Sequence, residues 1–487
     1  MQQVGGAGSE VGRHVPSRRA VLLGGLGLAL AGCGRPEPGR QPRSVERAVG
    51  PPTVGELLSR PRFVVAHRGS GDNWPEHTLT AYANALAAGA DAVEISVAST
   101  ADGVLVCHHD LSARRVLGVD RPIAELTWDE VQGLAVDARR WLGPSTPLEP
   151  VSRLEDVLEA LGEDTLAFVE DKQGTSTAAL LDLLDRQPRA RERFVWKQWA
   201  GAAQVRAAKA RGYAAWGYFD EDQLGRVEEF AETFDVLGVA IGTSDEGIAR
   251  VVATGLPVMA WEVHLDHDVR RLTDLGVRGL MCSNVPYVLR QAGSTHDAFA
   301  SGRRQPGDLP ADYQRIGWAA QPAIVPERAA LRVQRPEPTS YLMGSLADPR
   351  RAVSEVTARL LWPDALPAAG GAGLVVGLTS DANGGDGDRG DASGYEVVVL
   401  PAGEVQVRAR EEGWTGAVLG SAPIPPPRPG QPVEVHVTLG STVQVRVDGV
   451  DVLEVADARW RGGWVRLAKE HASSEAVEFS SVAVVHA

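Results

Sequence analysis

Cysteine is nearly absent from this chain, which has three in 487 residues, at positions 33, 107 and 282. A cysteine-ligated zinc or iron–sulfur centre is therefore excluded, because such centres need clustered sulfur ligands. Nothing in the spacing indicates a disulfide between Cys107 and Cys282. An excess of positive charge is also missing: 49 Lys and Arg stand against 63 Asp and Glu, giving a net charge of −14 and a pI near 5.3. Without a basic stripe the chain lacks the electrostatic footprint of a nucleic-acid binder. The apolar run 20–31 falls short of the about 20 residues that a membrane span needs. A disorder-prone composition is lacking too, since 44% of residues are hydrophobic and 23% charged. The length exceeds one ordinary domain and suggests roughly two to three.

The first segment reads as targeting rather than fold. Ser17-Arg18-Arg19-Ala20-Val21-Leu22-Leu23 resembles a twin-arginine export signal, and Leu30-Ala31-Gly32-Cys33 resembles a bacterial lipobox. Residues 1–33 are thus expected to be removed or lipidated. The mature protein would start at lipidated Cys33, anchored outside the cytoplasmic membrane. Residues 34–54, with Pro36, Pro38, Pro42, Pro51 and Pro52, read as a flexible tether.

Downstream, short apolar runs alternate with helix-periodic segments. Strand-like runs fall at 63–66, 92–97, 104–107, 165–170, 193–199, 214–219, 234–241, 257–263 and 279–282, with helical spacing at 202–210 and 245–253. Such alternation argues for parallel βα units. The turn 99–103 is too short for a parallel crossover, which takes a dozen or more residues, so 104–108 should double back as a hairpin. Eight strands remain, and they predict a TIM (β/α)8 barrel over residues 55–293 with 111–150 as an insertion. A doubly wound sheet is the alternative, because periodicity does not specify closure.

Polar groups gather where these strands end, as parallel α/β proteins build their sites. His67 and Arg68 follow the first run, Glu94 lies in the second, His109 ends the hairpin, and Glu170 shares a strand face with Lys172. Two histidines near two carboxylates and a lysine suit metal-assisted phosphodiester cleavage, one imidazole taking a proton while the other supplies one. His67-Arg68-Gly69, Pro75-Glu76-His77-Thr78, Gly89-Ala90-Asp91, Glu94-Ile95-Ser96, Asp102-Gly103 and His109-Asp110 together resemble the glycerophosphodiester phosphodiesterase family. The resemblance implies that His67 and His109 are the acid and base, in an order left open. It also implies Glu94 and Glu170 as ligands of Mg2+ or Ca2+, and Arg68 and Lys172 on the phosphate. The substrate would be a glycerophosphodiester or lipid headgroup, giving sn-glycerol 3-phosphate and an alcohol.

The chain departs from that family's pattern at several positions. Ser96 stands where the family has a metal-binding Asp, His77 replaces an Asn, and Ser283-Asn284-Val285-Pro286 replaces Thr-Asp-x-Pro. Glu262, after Trp261, stands where Thr is usual. Glu262, Glu76 or Ser96 is the expected source of a third ligand. Trp74, Trp199 and Trp261 lie past strand ends and could wall a pocket, Trp261 against the substrate.

Residues 294–311 read as a linker, and 312–487 as an all-β sandwich with period-two runs at 395–400, 404–408, 433–437 and 443–447 and a hairpin turn at Asp448-Gly449. The progression resembles laminin-G or concanavalin-A-like jelly rolls, and such a domain would either bind a cell-wall glycan or pack beside the barrel. Asp381, Asn383, Asp386, Asp388 and Asp391 fit either a Ca2+ loop or a solvated loop. The whole reads as an exported, membrane-anchored phosphoric diester hydrolase. The competing readings are a catalytically inactive surface binding protein and a lyase releasing a cyclic phosphate.

Overall fold

Eight parallel strands close on one another in a computed structural model that describes residues 50–290, 293–309, 322–334, 340–382, 392–470 and 472–487. In chain order they are β1 (Phe63–Ala66), β2 (Ala92–Ser99), then, after the hairpin strand β3 (Leu105–Cys107), β4 (Ala167–Asp171), β5 (Phe194–Trp199), β6 (Ala214–Phe219), β7 (Val236–Ala240), β8 (Val258–Val263) and β9 (Gly279–Cys282). Closure comes from β1, which pairs in parallel with β9 on one side and β2 on the other. β3 runs antiparallel to β2, so the short turn does make a hairpin. The doubly wound alternative is thereby set aside.

Both faces of these strands are buried, as a barrel wrapped in helices requires. On β2, Val93, Ile95 and Val97 join the outer core beneath the helices, whereas Ala92 faces the barrel interior with Phe63, Phe168, Trp216, Met259 and Met281. Helix Val54–Ser59 adds Val54 and Leu57 to that inner cluster. A reciprocal capping box between Thr53 and Glu56 starts this helix. The expected tether is therefore too long at its end, because Thr53 and Val54 belong to the folded body. The insertion after β3 has its own small core, including Val116, Leu126, Val131 and Trp141.

Among the described residues the C-terminal part is two antiparallel sheets, of seven and six strands, with valine-rich inner faces. At the turn between Val443–Val447 and Val450–Val455, Asp448 and Gly449 have φ of 48° and 81°, the paired positive values of a type I′ hairpin.

Barrel and sandwich are not loosely strung. Residues 50–487 form one compact unit, and the expected linker is bound along much of its length. Gly307 N donates to Asn73 Oδ1 at 2.8 Å, Asn284 Nδ2 donates to Gly307 O, and Leu309 bridges Leu342. Asp381 is fully buried and does not serve a Ca2+ loop: its carboxylate accepts from the backbone of Asp266 and His267 and from Tyr287 Oη at 2.6 Å. It thereby caps a barrel helix, Asp266–Asp274, from the sandwich side. Asn383, Asp386, Asp388 and Asp391 lie outside the described residues, as do the export signal, Cys33 and residues 34–49. Among the described residues no helix is long and apolar enough to cross a membrane.

Candidate active site

The polar side chains gather at the C-terminal ends of the strands. β1 delivers His67 into a tight turn in which Arg68, Gly69 and Ser70 all have positive φ, of 51°, 78° and 69°. A Cβ on Gly69 would come within 2.8 Å of Ala81 Cβ, so only glycine fits there. The turn presents the Arg68 amide to Glu94 Oε2 at 3.0 Å. Glu94, on β2, thus holds the HRG turn in place.

His67 is buried, with Nδ1 2.8 Å from Glu262 Oε1 and 2.9 Å from Ser283 Oγ. Arg68 Nε donates to Nε2 at 3.3 Å. An Nδ1–H donating to the carboxylate leaves the Nε2 lone pair facing Arg68. Glu262 also meets His264 Nε2 at 3.2 Å, and His264 Nδ1 meets Asp72 Oδ2 at 2.9 Å. Burial works against a charged imidazole here, yet Asp72 and Glu262 outweigh it and raise the His264 pKa to about 10. Burial would likewise raise the Glu262 carboxyl, but His67 and His264 hold it well below the usual range. Four groups thus form a line, Asp72–His264–Glu262–His67.

His109 lies across the mouth, its ring centroid 6.5 Å from that of His67 and nearly perpendicular. Its Nδ1 is 2.8 Å from Asp110 Oδ1, and Asp110 is in turn held by Arg115 Nε at 2.6 Å. Burial, assisted by Arg68 and Lys172, lowers the His109 pKa to about 4 against the pull of Asp110. The imidazole is therefore neutral near pH 7, and the Asp110 bond leaves Nε2 as its free base.

Glu76, expected as one source of a third ligand, is instead gripped by Arg115 through both oxygens, at 2.8 and 2.6 Å, and by Arg68 at 3.3 Å. Glu262, the other carboxylate so expected, is bound by two histidines. Ser96 Oγ donates to Glu94 Oε1 at 2.9 Å. In this structure each of the three groups expected as a third ligand is held by a protein partner.

Glu94 and Glu170 do come together, but through a residue the sequence reading passed over. Lys197, from β5, is buried with its Nζ 2.8 Å from Glu94 Oε1 and in hydrogen-bond contact with Glu170 Oε2. Tyr218 Oη donates to Glu170 Oε1 at 2.6 Å, and Lys172 Nζ lies 3.5 Å from Glu170. The donor set does not fit a divalent cation, because an ammonium already takes the oxygens the ion would need and would repel it. Among the described residues no three His, Cys, Asp or Glu side chains are arranged to hold a metal.

Other placements agree with strand alternation. Asp171 points away from the mouth and caps Gly174 and Ser176. Trp199 and Trp261 are joined through Tyr218, at centroid distances of 5.5 and 5.6 Å, while Trp74 packs against the outer core. His77 Nδ1 meets Tyr82 Oη at 2.8 Å, and its buried Nε2 has no hydrogen-bond partner. Lys197 had a readable signal: a lysine between Trp196 and Gln198 in an apolar strand, in register with inward Val195. Asp110 was legible beside His109, but His264 and Asp72 gave no cue.

Residues 67–285 match the model of the glycerophosphoryl diester phosphodiesterase family. A glycerophosphodiester phosphodiesterase of Caldanaerobacter subterraneus subsp. tengcongensis is 36% identical over 113 residues, 23% of this chain and 46% of the relative. One from Arabidopsis thaliana is 40% identical over 87 residues, 18% of this chain and 22% of the relative. The matched stretch spans less than half the length of either. A solved structure of an Oleispira antarctica phosphodiesterase in complex with the product sn-glycerol-3-phosphate aligns at a TM-score of 0.41 and 19% identity, covering 47% of this chain and 95% of that one.

Proposed function

We propose, on the match of residues 67–285 to the model of the glycerophosphoryl diester phosphodiesterase family, that this chain hydrolyses glycerophosphodiesters to sn-glycerol 3-phosphate and an alcohol, with His67 and His109 moving the protons. The observation that carries the reading is the facing pair of imidazoles, each tied at Nδ1 to a carboxylate and so directed through Nε2. As the new P–O bond forms, one Nε2 takes the proton of the attacking oxygen. As the old P–O bond breaks, the leaving alcohol takes a proton from the other imidazole, which must enter the step as an imidazolium protonated at Nε2 with its Nδ1–H still on its carboxylate. Arg68 and Lys172 stand beside the pair to meet the phosphate oxygens. Trp199, Tyr218 and Trp261 offer an aromatic wall to the glycerol or the alcohol. No step here is routed through a metal, because the donor set does not fit one.

The same first step with a substrate hydroxyl as nucleophile would yield a cyclic phosphate, so product analysis separates hydrolysis from the lyase reading. The motifs at 17–33 support a place outside the cytoplasmic membrane on a lipidated Cys33. The sandwich would then face the wall, with a glycan as its partner. The test is to incubate the purified chain with a panel of glycerophosphodiesters beside His109→Ala. Release of glycerol 3-phosphate that the substitution abolishes is expected. A folded protein that cleaves no diester would overturn the reading in favour of a binding role.

A further inference from the structure

We propose that Lys197 is the resident cation of this site, standing between Glu94 and Glu170 in the place of a divalent metal, so that cleavage proceeds without added metal. For the reaction the inference rests on the function proposed above; for metal binding it stands on its own.

The two carboxylates are 0% and 5% exposed at the side chain, and the lysine that joins them 4%. Buried charges of this kind persist only when compensated. Lys197 contacts both carboxylates, Lys172 is beside Glu170, and the Arg68 amide satisfies the remaining Glu94 oxygen. The negative charges are thus answered within the protein. Ser96 in place of the family's aspartate removes one negative charge, and Lys197 supplies one positive. The sum is two charges, which is what a divalent ion carries.

Lys197 is also fixed in position. Its Nζ lies 5.2 Å from the Tyr218 ring centroid and 5.9 Å from that of Trp216, so aromatic faces flank the ammonium. Ser96 adds a hydroxyl that donates to Glu94, opposite in polarity to a metal ligand. A divalent ion at this locus would have to displace the ammonium from both carboxylates at once.

Lys197 then acts as a positioning residue. It keeps Glu94 on the Arg68 amide and Glu170 beside Lys172, and so leaves Arg68 and Lys172 for the phosphate. Without it, the negative charge of Glu94 and part of that of Glu170 would go uncompensated and would repel the anionic substrate.

The test uses the full chain and two readouts: thermal unfolding during calcium and magnesium titration, and turnover of a glycerophosphodiester panel in chelator. The wild type is expected to show no cation-dependent rise in melting temperature and undiminished turnover in chelator. Lys197→Gln should lose activity by about 100-fold or more, as when a preorganised electrostatic group is removed. Lys197→Gln combined with Ser96→Asp should gain a calcium-dependent rise in melting temperature and in turnover. A saturable rise for the wild type, or turnover lost in chelator, would overturn the proposal. If no diester is cleaved, the functional reading fails while the titration still decides the metal question. If the substituted proteins do not fold, the wild-type titration decides alone.

Discussion

Glu262 reaches across the barrel mouth from β8 to His67 at the end of β1, with 2.8 Å between Oε1 and Nδ1. Simple alternation along β8 sends Met259 and Trp261 inward and Glu262 the other way. The register with β9 shifts between Ala260 and Val263, and such a bulge re-aims the side chains beside it. The carboxylate that the sequence offered to a metal is thereby given to a histidine.

Glu262→Gln keeps the shape of this contact and removes its charge. We expect kcat to fall by about 100-fold or more with little change in KM, since an oriented acid–base histidine contributes on that scale. Steady-state kinetics beside a circular dichroism spectrum check this. Unchanged kcat would remove Glu262 from the machinery.

The acid limb of activity should lie unusually low. His109, lowered to about 4 chiefly by burial, stays neutral above that pH and loses its base as pH falls through it. A profile of kcat/KM against pH should therefore hold well below 6.5. Asp110→Asn removes an interaction that raises this pKa, so the limb should move to still lower pH while kcat drops through loss of orientation.

His264 makes stability depend on alkaline pH. Its folded pKa of about 10 lies above the unfolded value of about 6.5, so its contribution is full below 6.5 and is lost as pH rises through 10. His264→Gln should cost more stability at pH 6 than at pH 10. Chemical denaturation of both proteins at the two pH values measures the difference.

Asp381 joins sandwich to barrel through three hydrogen bonds. Asp381→Ala leaves the Tyr287 hydroxyl and two backbone amides without this acceptor, at a cost of about 1–3 kcal/mol. Urea unfolding followed by tryptophan fluorescence should show the loss, and activity at low denaturant should be little changed.

Strand periodicity and one short turn were enough to give eight barrel strands and a hairpin, because alternation and chain length are local properties. Motif spacing likewise placed His67, Arg68, Glu94, His109, Glu170 and Lys172 at one end of the barrel. What those groups do to one another was decided by closure. Lys197 enters between Glu94 and Glu170 only because β5 lies beside β4, and β4 beside β2. His264 and Asp72 are distant in sequence and meet because β8 and β1 both flank β9. The linker and Asp381 looked like solvated chain, since glycine, proline and aspartate carry that bias locally. Their burial follows from the docking of barrel and sandwich, whose contacts join residues far apart in the chain, 94 positions for Tyr287 and Asp381 and 234 for Asn73 and Gly307. The sequence by itself determined which chemical groups line the mouth. Only the tertiary structure decided which carboxylate holds a histidine, which holds a lysine, and therefore where the positive charge of the site resides.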